Sequence, residues 1–234
     1  MAVYCISDLH LSSSGKKPMD VFGARWQGHM QRLIEGFADI GDDDTVVIPG
    51  DLSWGDSAED AKNDFLFLSS LGGKKIVGKG NHDFWWATLP RMQSFVKELG
   101  ISNISFLRNN AYICEDIIVC GTKGYLPVSG GKTADDKKYG DREATRLELS
   151  LKSGLALDRG EGRELVVFLH YPPVYGTQQC EQLLDVIYRY RIGRVFYGHI
   201  HSVASGALHT SAMGASLRLI AADALGFKPL KIST

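Results

Sequence analysis

Gly80-Asn81-His82-Asp83 sets an amide oxygen, an imidazole and a carboxylate on consecutive residues, just past the strand-like run Lys74-Lys75-Ile76-Val77. Alone, the tetrapeptide means little. The same arrangement, an apolar run that stops at a ligand-type side chain, recurs four more times. Asp8 and His10 follow Val3-Tyr4-Cys5-Ile6-Ser7, and Asp51 follows Val46-Val47-Ile48-Pro49-Gly50. His170 follows Leu165-Val166-Val167-Phe168-Leu169, and Gly198-His199-Ile200-His201 follows Arg194-Val195-Phe196-Tyr197. Two Asp, one Asn and four His form an oxygen and nitrogen donor set without thiolate, which suits Mn, Fe or Zn better than Ca or structural zinc. The donors outnumber what one tetrahedral ion needs, and two ions sharing a carboxylate absorb the surplus. Two dications over two carboxylates leave an excess of about +2, a strong pull on a phosphate oxyanion. Water bridging such ions is acidified towards neutral pH, and the pair clamps phosphorus for in-line displacement. Metal-assisted phosphoester hydrolysis is the chemistry expected.

Those residues need strands to carry them to one place. Residues 2–7, 45–49 and 74–77 read as buried strands. Between them, Trp26, Met30, Leu33, Ile34 and Phe37 step at helical spacing over 25–40, and Gly41 ends that stretch. Ala58, Ala61, Phe65 and Leu68 do the same over 57–71, with Ser57 as N-cap, and 87–99 is a third helix with Pro90 in its first turn. Strand-helix three times over predicts parallel strands packed on helices. Residues 105–107, 111–114 and 117–120 then read as short antiparallel strands around tight turns. Residues 121–142, rich in Gly and Lys, are expected to be a long loop, and such loops are commonly functional. A helix over 142–157, a strand over 164–169, a helix over 178–190, a strand over 193–197 and closing strands over 203–208 and 216–221 complete the reading. The ligand-type residues thus fall at C-terminal strand ends, the edge where sites of open α/β sheets assemble.

Composition sets the frame. The 234 residues, 44% apolar and 23% charged, suit one soluble domain over 1–234 with a sizeable core. A formal charge of −1 gives no electrostatic case for nucleic acid or a membrane surface as default partner. Cys5, Cys114, Cys120 and Cys180 form no CxxC pair, and two of them lie in apolar runs, so buried reduced thiols are expected. With no signal-like N-terminus and no apolar run near 20 residues, a cytoplasmic protein is expected.

The ordered set Asp8-Leu9-His10, Gly50-Asp51, Gly80-Asn81-His82-Asp83, His170 and Gly198-His199-Ile200-His201 resembles the calcineurin-like metallophosphoesterase family, with all five motifs present over residues 8–201. The second motif continues as Leu52-Ser53-Trp54-Gly55-Asp56, where many relatives carry another Asp soon after Leu. The resemblance implies a four-layer αββα sandwich of two mixed sheets flanked by helices. It implies a first metal held by Asp8, His10 and His201, a second held by Asn81, His170 and His199, and Asp51 as the bridge. Mn2+ is the first candidate for both ions, with Fe or Zn as the others. His82 would face the substrate, stabilising charge or protonating the leaving oxygen, and Asp83 would orient His82 and favour its imidazolium form. The substrate would be a phosphorylated small molecule or macromolecule. A phosphodiesterase or nuclease, and a metal-binding scaffold that docks a protein partner, remain open as other readings of the same residues.

Several residues stay outside this set. His29 and His209 read as structural, and of Trp85 and Trp86 one is expected in the core and one on the cleft wall. Gly130-Gly131-Lys132-Thr133 fails as a P-loop, because Leu126 stands where its first Gly belongs. Lys123, Lys132, Lys137, Lys138, Arg142 and Arg146 form either a solvated face or a basic loop that folds over the metals and reads a second anion.

Overall fold

Strict alternation along short strands sorts the interior into three layers of side chains. In the computed structural model, which describes residues 1–13, 15, 17–127, 133–201 and 206–233, the N-terminal strand-helix repeats fold as predicted. β1 (Val3–Cys5), β2 (Thr45–Ile48), β3 (Lys74–Val77) and β4 (Ile104–Phe106) run parallel, connected through α1 (His29–Phe37), α2 (Lys62–Ser70) and α3 (Leu89–Glu98). A second sheet begins with the antiparallel hairpin of β5 (Tyr112–Cys114) and β6 (Ile117–Thr122). It continues through α4 (Ala134–Asp158), β7 (Glu164–Leu169), the small hairpin β8 (Val174–Tyr175) and β9 (Gln178–Gln179), α5 (Glu181–Arg189) and β10 (Arg194–Tyr197). β11 (Ser211–Ala212) and β12 (Ala215–Leu219) extend that sheet, while β13 (Leu230–Ser233) returns to pair antiparallel with β1. The sheet orders are β13-β1-β2-β3-β4 and β11-β12-β10-β7-β6-β5.

Val46 and Ile48 point to the helix side of the first sheet, where they meet Leu33, Phe37, Phe65 and Met92, while Val47 points the other way. Val167 and Leu169 face Leu147, Leu151 and Leu183 of α4 and α5, while Val166 and Phe168 face Val3, Cys5 and Val47. The order helix, sheet, sheet, helix is therefore a four-layer αββα sandwich, as the resemblance implied. Among the described residues no helix is long and apolar enough to cross a membrane.

Four expectations change. Residues 105–107 were expected to run antiparallel, but β4 pairs parallel with β3, since the connection through α3 is a helical crossover. The loop expected over 121–142 ends early, because Thr133 and Asp136 form a reciprocal capping box that starts α4 at Ala134. Residues 128–132, which include Lys132 and most of the rejected P-loop segment, lie outside the described residues. Of the closing strand expected over 203–208, residues 203–205 also lie outside them and 206–208 form no strand; β11 and β13 close the sheets instead. The helices over 25–40, 57–71 and 178–190 are shorter than read: Ala24–Trp26 is a 3-10 turn, α2 starts at Lys62, and β9 takes Gln178 and Gln179.

Register aligns the strand ends. Ile48 stands opposite Val77, and Val77 opposite Phe106. In the other sheet Thr122, Leu169, Tyr197 and Leu219 line up across four parallel strands. Every loop that leaves these ends emerges on one edge of the sandwich.

Candidate metal centre

Backbone pairing persists past the strands and fixes the loops that carry the ligand-type residues. Asp8 N donates to Gly50 O (3.0 Å), His10 N to Asp51 O (3.0 Å), and Gly198 N to His170 O (3.1 Å). Asp8, His10, Asp51 and His199 have φ of 59°, 47°, 52° and 67°, the left-handed region that non-glycine residues enter at a cost of about 1–3 kcal/mol each. Four such residues at one edge are held there by the surrounding structure. Two glycines make the approach possible: a Cβ on Gly80 would collide with Asp51 Oδ1, and one on Gly198 with Asp8 Oδ2.

The side chains converge. His10 Nε2 and His201 Nε2 are 3.3 Å apart, and Asp8 Oδ1 lies 3.6 Å from His201 Nε2. Asp51 Oδ2 lies 3.8 Å from His10 Nε2 and 3.6 Å from His170 Nε2. Asn81 Oδ1 is 2.6 Å from His170 Nε2, and the His199 ring stands 5.1 Å from that of His170. His199 N also donates to both oxygens of Asp8 at 3.0 Å. Two groups of donor atoms emerge, Asp8 with His10 and His201, and Asp8 with Asp51 and His170, all atoms within 4.8 Å of one another in each. Asp8 belongs to both groups, so it stands between them as Asp51 does.

The charge balance asks for cations. Burial, then the neighbouring Asp8 and Asp83 carboxylates, push Asp51 up to about 9, and burial pushes Asp8 up to about 6. Burial, with the surrounding imidazoles, holds His10 and His170 well below the ordinary histidine value, so they are neutral donors of lone pairs. The buried Nδ1 atoms of His10 and His170 have no hydrogen-bond partner among the described residues. Buried carboxylates that repel one another, beside neutral imidazoles with a free nitrogen, fit divalent metal ions.

His82 and Asp83 separate in role. The His82 ring sits 4.3 Å from that of Trp54 beside a cavity of about 350 Å3 that Asp51, His10, His199 and His201 also line. Burial first, then Lys17 and His201, hold its pKa below the ordinary value, opposite to the imidazolium expected. Asp83 does not meet the His82 ring among the described hydrogen bonds. Its Oδ2 accepts from Gly80 N (2.7 Å) and Asp51 N (2.9 Å), and its Oδ1 from Leu52 N (2.9 Å), Ser53 N (3.3 Å) and Trp85 Nε1 (3.0 Å). Asp83 is a clamp between two loops. Trp85 is buried, as expected of one of the pair, and the rings beside the ligands are Trp54, stacked 5.0 Å from His10, and Trp26, 5.6 Å from His201.

One residue escaped the sequence reading. Asp223 Oδ1 pairs with His201 Nδ1 at 2.9 Å, and its other oxygen with Arg25 at 3.2 Å. Burial acts against this carboxylate, yet the His201 and Arg25 partners hold its pKa below the ordinary value. The signal was there: Asp223 follows the apolar run Leu219-Ile220-Ala221-Ala222, as Asp8 and Asp51 follow theirs. His209 is structural, bonded through Nε2 to Gly176 O at 2.8 Å.

The profile of the calcineurin-like phosphoesterases matches residues 1–203. No curated protein matches the chain. Among solved structures, the phosphopantetheinyl hydrolase of Mycobacterium tuberculosis is similar at 13% identity and TM-score 0.52, covering 99% of this chain and 95% of that one. A Thermus thermophilus protein is similar at 14% identity and TM-score 0.55, with 99% and 97% covered. A protein of unknown function from Aquifex aeolicus gives 15% and 0.53, with 98% and 95% covered. At such identities the likeness is one of fold.

Proposed function

This chain belongs to the calcineurin-like phosphoesterase family, and from that premise we propose that it hydrolyses phosphoesters at a centre of two divalent metal ions, as a single domain. The observation that carries this is Asp51, whose Oδ2 faces His10 Nε2 at 3.8 Å and His170 Nε2 at 3.6 Å, a carboxylate between two imidazoles. Asp8, His10 and His201 would hold one ion and Asn81, His170 and His199 the other, with Asp51 shared. The oxygen and nitrogen donors favour Mn2+, with Fe or Zn as the other candidates. When bound, the ions would polarise phosphoryl oxygens and acidify water towards neutral pH.

The chain's own groups supply the rest. His82, beside the cavity, would donate to a phosphoryl oxygen or to the departing oxygen. Trp26 and Trp54 would keep water from the flank of His10 and present flat apolar faces to the substrate. Asp83 would keep the Asp51 and Asn81 loops in register through its backbone acceptors. A cytoplasmic setting belongs to the same proposal, and the four buried free cysteines support it.

The test is hydrolysis of p-nitrophenyl phosphate and bis-p-nitrophenyl phosphate by metal-stripped protein titrated with Mn2+, with Asp51→Asn alongside. Turnover that rises with metal and disappears in Asp51→Asn is expected, and the preferred ester separates monoesterase from diesterase. No turnover of either ester at full metal occupancy would defeat the reading.

A further inference from the structure

The edge that gathers the ligand-type residues carries a second group of side chains of opposite charge. Lys79 follows β3 by two residues, Arg108 follows β4 by two, and Lys123 follows β6 directly. β3 and β4 are neighbours in register, as are β6 and β7. Lys79 therefore emerges on the loop of Asn81 itself, and Arg108 and Lys123 one strand further along than Asn81 and His170. Arg146 of α4 closes the group, and the four line a cavity of about 90 Å3 with Trp86 as an apolar wall. The two groups share loops. Gly80 alone separates Lys79 from Asn81, and Lys123 O accepts His170 N (3.1 Å) and Tyr171 N (2.9 Å). Lys123 Nζ lies 5.5 Å over the Tyr171 ring, which packs 4.2 Å from the ring of His199.

The charge in this cavity is not balanced from within. No carboxylate lines it; Glu143, behind Arg146 and Thr122, is fully buried, with Oε1 taken by Arg146 (2.7 Å) and Arg142 (3.3 Å) and Oε2 by Thr122 (2.6 Å). Among the described residues no ion pair involves Lys79, Arg108 or Lys123; Arg108 spends one donor on Ala87 O at 2.6 Å. Uncompensated cations around a small cavity need an anion, and lysine and arginine together suit the several oxygens of a phosphate. The volume excludes a drug-sized ligand, which fills about 300 Å3 or more, and four cations gathered around so small a cavity are not the long stripe that follows a nucleic-acid backbone.

We propose that Lys79, Arg108, Lys123 and Arg146 form a subsite for a second phosphoryl group, so that the natural substrate carries two phosphates, one cleaved and one held. This rests on the phosphoester reading above. It also redraws the basic loop expected from sequence: Lys123 and Arg146 of that loop take part, Lys137 lines a separate groove along α5, and Lys79 and Arg108 come from outside it.

The experiment has two arms, run on wild type, on Lys79→Gln with Lys123→Gln, and on Arg108→Gln, each checked by thermal unfolding. In the first, alkane diphosphonates of increasing length compete with p-nitrophenyl phosphate on the metal-loaded enzyme. One length should inhibit at least about tenfold better than methylphosphonate, and the variants should lose that advantage. In the second, inorganic phosphate is titrated calorimetrically into metal-free protein, where no metal ion competes for it. Binding should weaken at least about tenfold in the variants. A flat length series, or phosphate binding equal in all three proteins, would overturn the subsite while turnover of p-nitrophenyl phosphate leaves the hydrolase reading standing. Failure of wild type to turn over either ester is failure of that reading instead, and the calorimetric arm still decides whether the cavity binds phosphate.

Discussion

The two sheets contribute unequally to one edge. The first supplies the oxygen donors, Asp8, Asp51 and Asn81, with His10 the one imidazole among its candidate ligands, and it also supplies His82. The second supplies imidazoles, His170, His199 and His201. Carboxylates crowd on one side: Asp51 is pushed up to about 9 by burial and by Asp8 and Asp83. Imidazoles crowd on the other: burial holds His170 and His199 below the ordinary value, while, against burial, Asp223 and Asp8 raise His201. Neither sheet alone makes a balanced site. The difference teaches that the interface between the sheets is where a cation is needed, since there an oxygen of the first sheet meets a nitrogen of the second within 4 Å.

The comparison breaks most completely at Asp51, which faces rings from both sheets. Asp51→Asn should lose metal and turnover together, read by metal content after dialysis and by ester hydrolysis. Retention of both ions would mean that Asp8 carries the link alone. His82→Ala touches only the first sheet's contribution to the substrate. Turnover should fall by about 10^2–10^4-fold, the range for a positioned acid or base, with metal content unchanged. Metal loss in that variant would make His82 a ligand instead.

Asp83→Asn tests what keeps the first sheet's loops in place. Five N–H groups converge on this buried carboxylate, and an amide cannot accept all of them while its own NH2 faces donors. The substitution should lower stability by about 2–4 kcal/mol, seen as a lower Tm by circular dichroism. A pure change in turnover at unchanged Tm would return Asp83 to a catalytic partnership with His82.

Much of this arrangement is legible in the chain because a ligand after an apolar run is a ligand at a C-terminal strand end. Asp8, Asp51, Asn81, His170 and His199 could be read that way with no knowledge of the sheet order. What could not be read depends on direction and on distance through space. Asp83 neighbours His82 in sequence, yet the turn aims its carboxylate at Asp51 N and Gly80 N. Trp26 and Trp54 give the same signal as any core aromatic, so nothing distinguished them from Trp85. Lys79, Arg108 and Lys123 meet only because β3, β4 and β6 end together, and grouping cations by closeness in the chain drew in Lys137 and Lys138 instead. The helix start at Ala134 was legible in Thr133 and Asp136, but the glycines and lysines around them masked the cap.

Asp223 offers the finest division between the sheets. It leaves the second sheet just past β12, and its carboxylate holds His201 Nδ1 at 2.9 Å, which turns Nε2 towards His10 and Asp8. A carboxylate behind a ligating imidazole fixes the tautomer and raises the basicity of the nitrogen that faces the metal, and its loss weakens metal binding by about tenfold to a hundredfold. Asp223→Asn keeps an acceptor for Nδ1–H and removes the charge, so the geometry survives while the basicity falls. Metal titration should then show one weakened ion, the one held with His10 and Asp8, and one unchanged, the one held with His170. Equal weakening of both would show that the sheets share the two ions more evenly than their donors suggest. No weakening would leave Asp223 as a partner of Arg25 only.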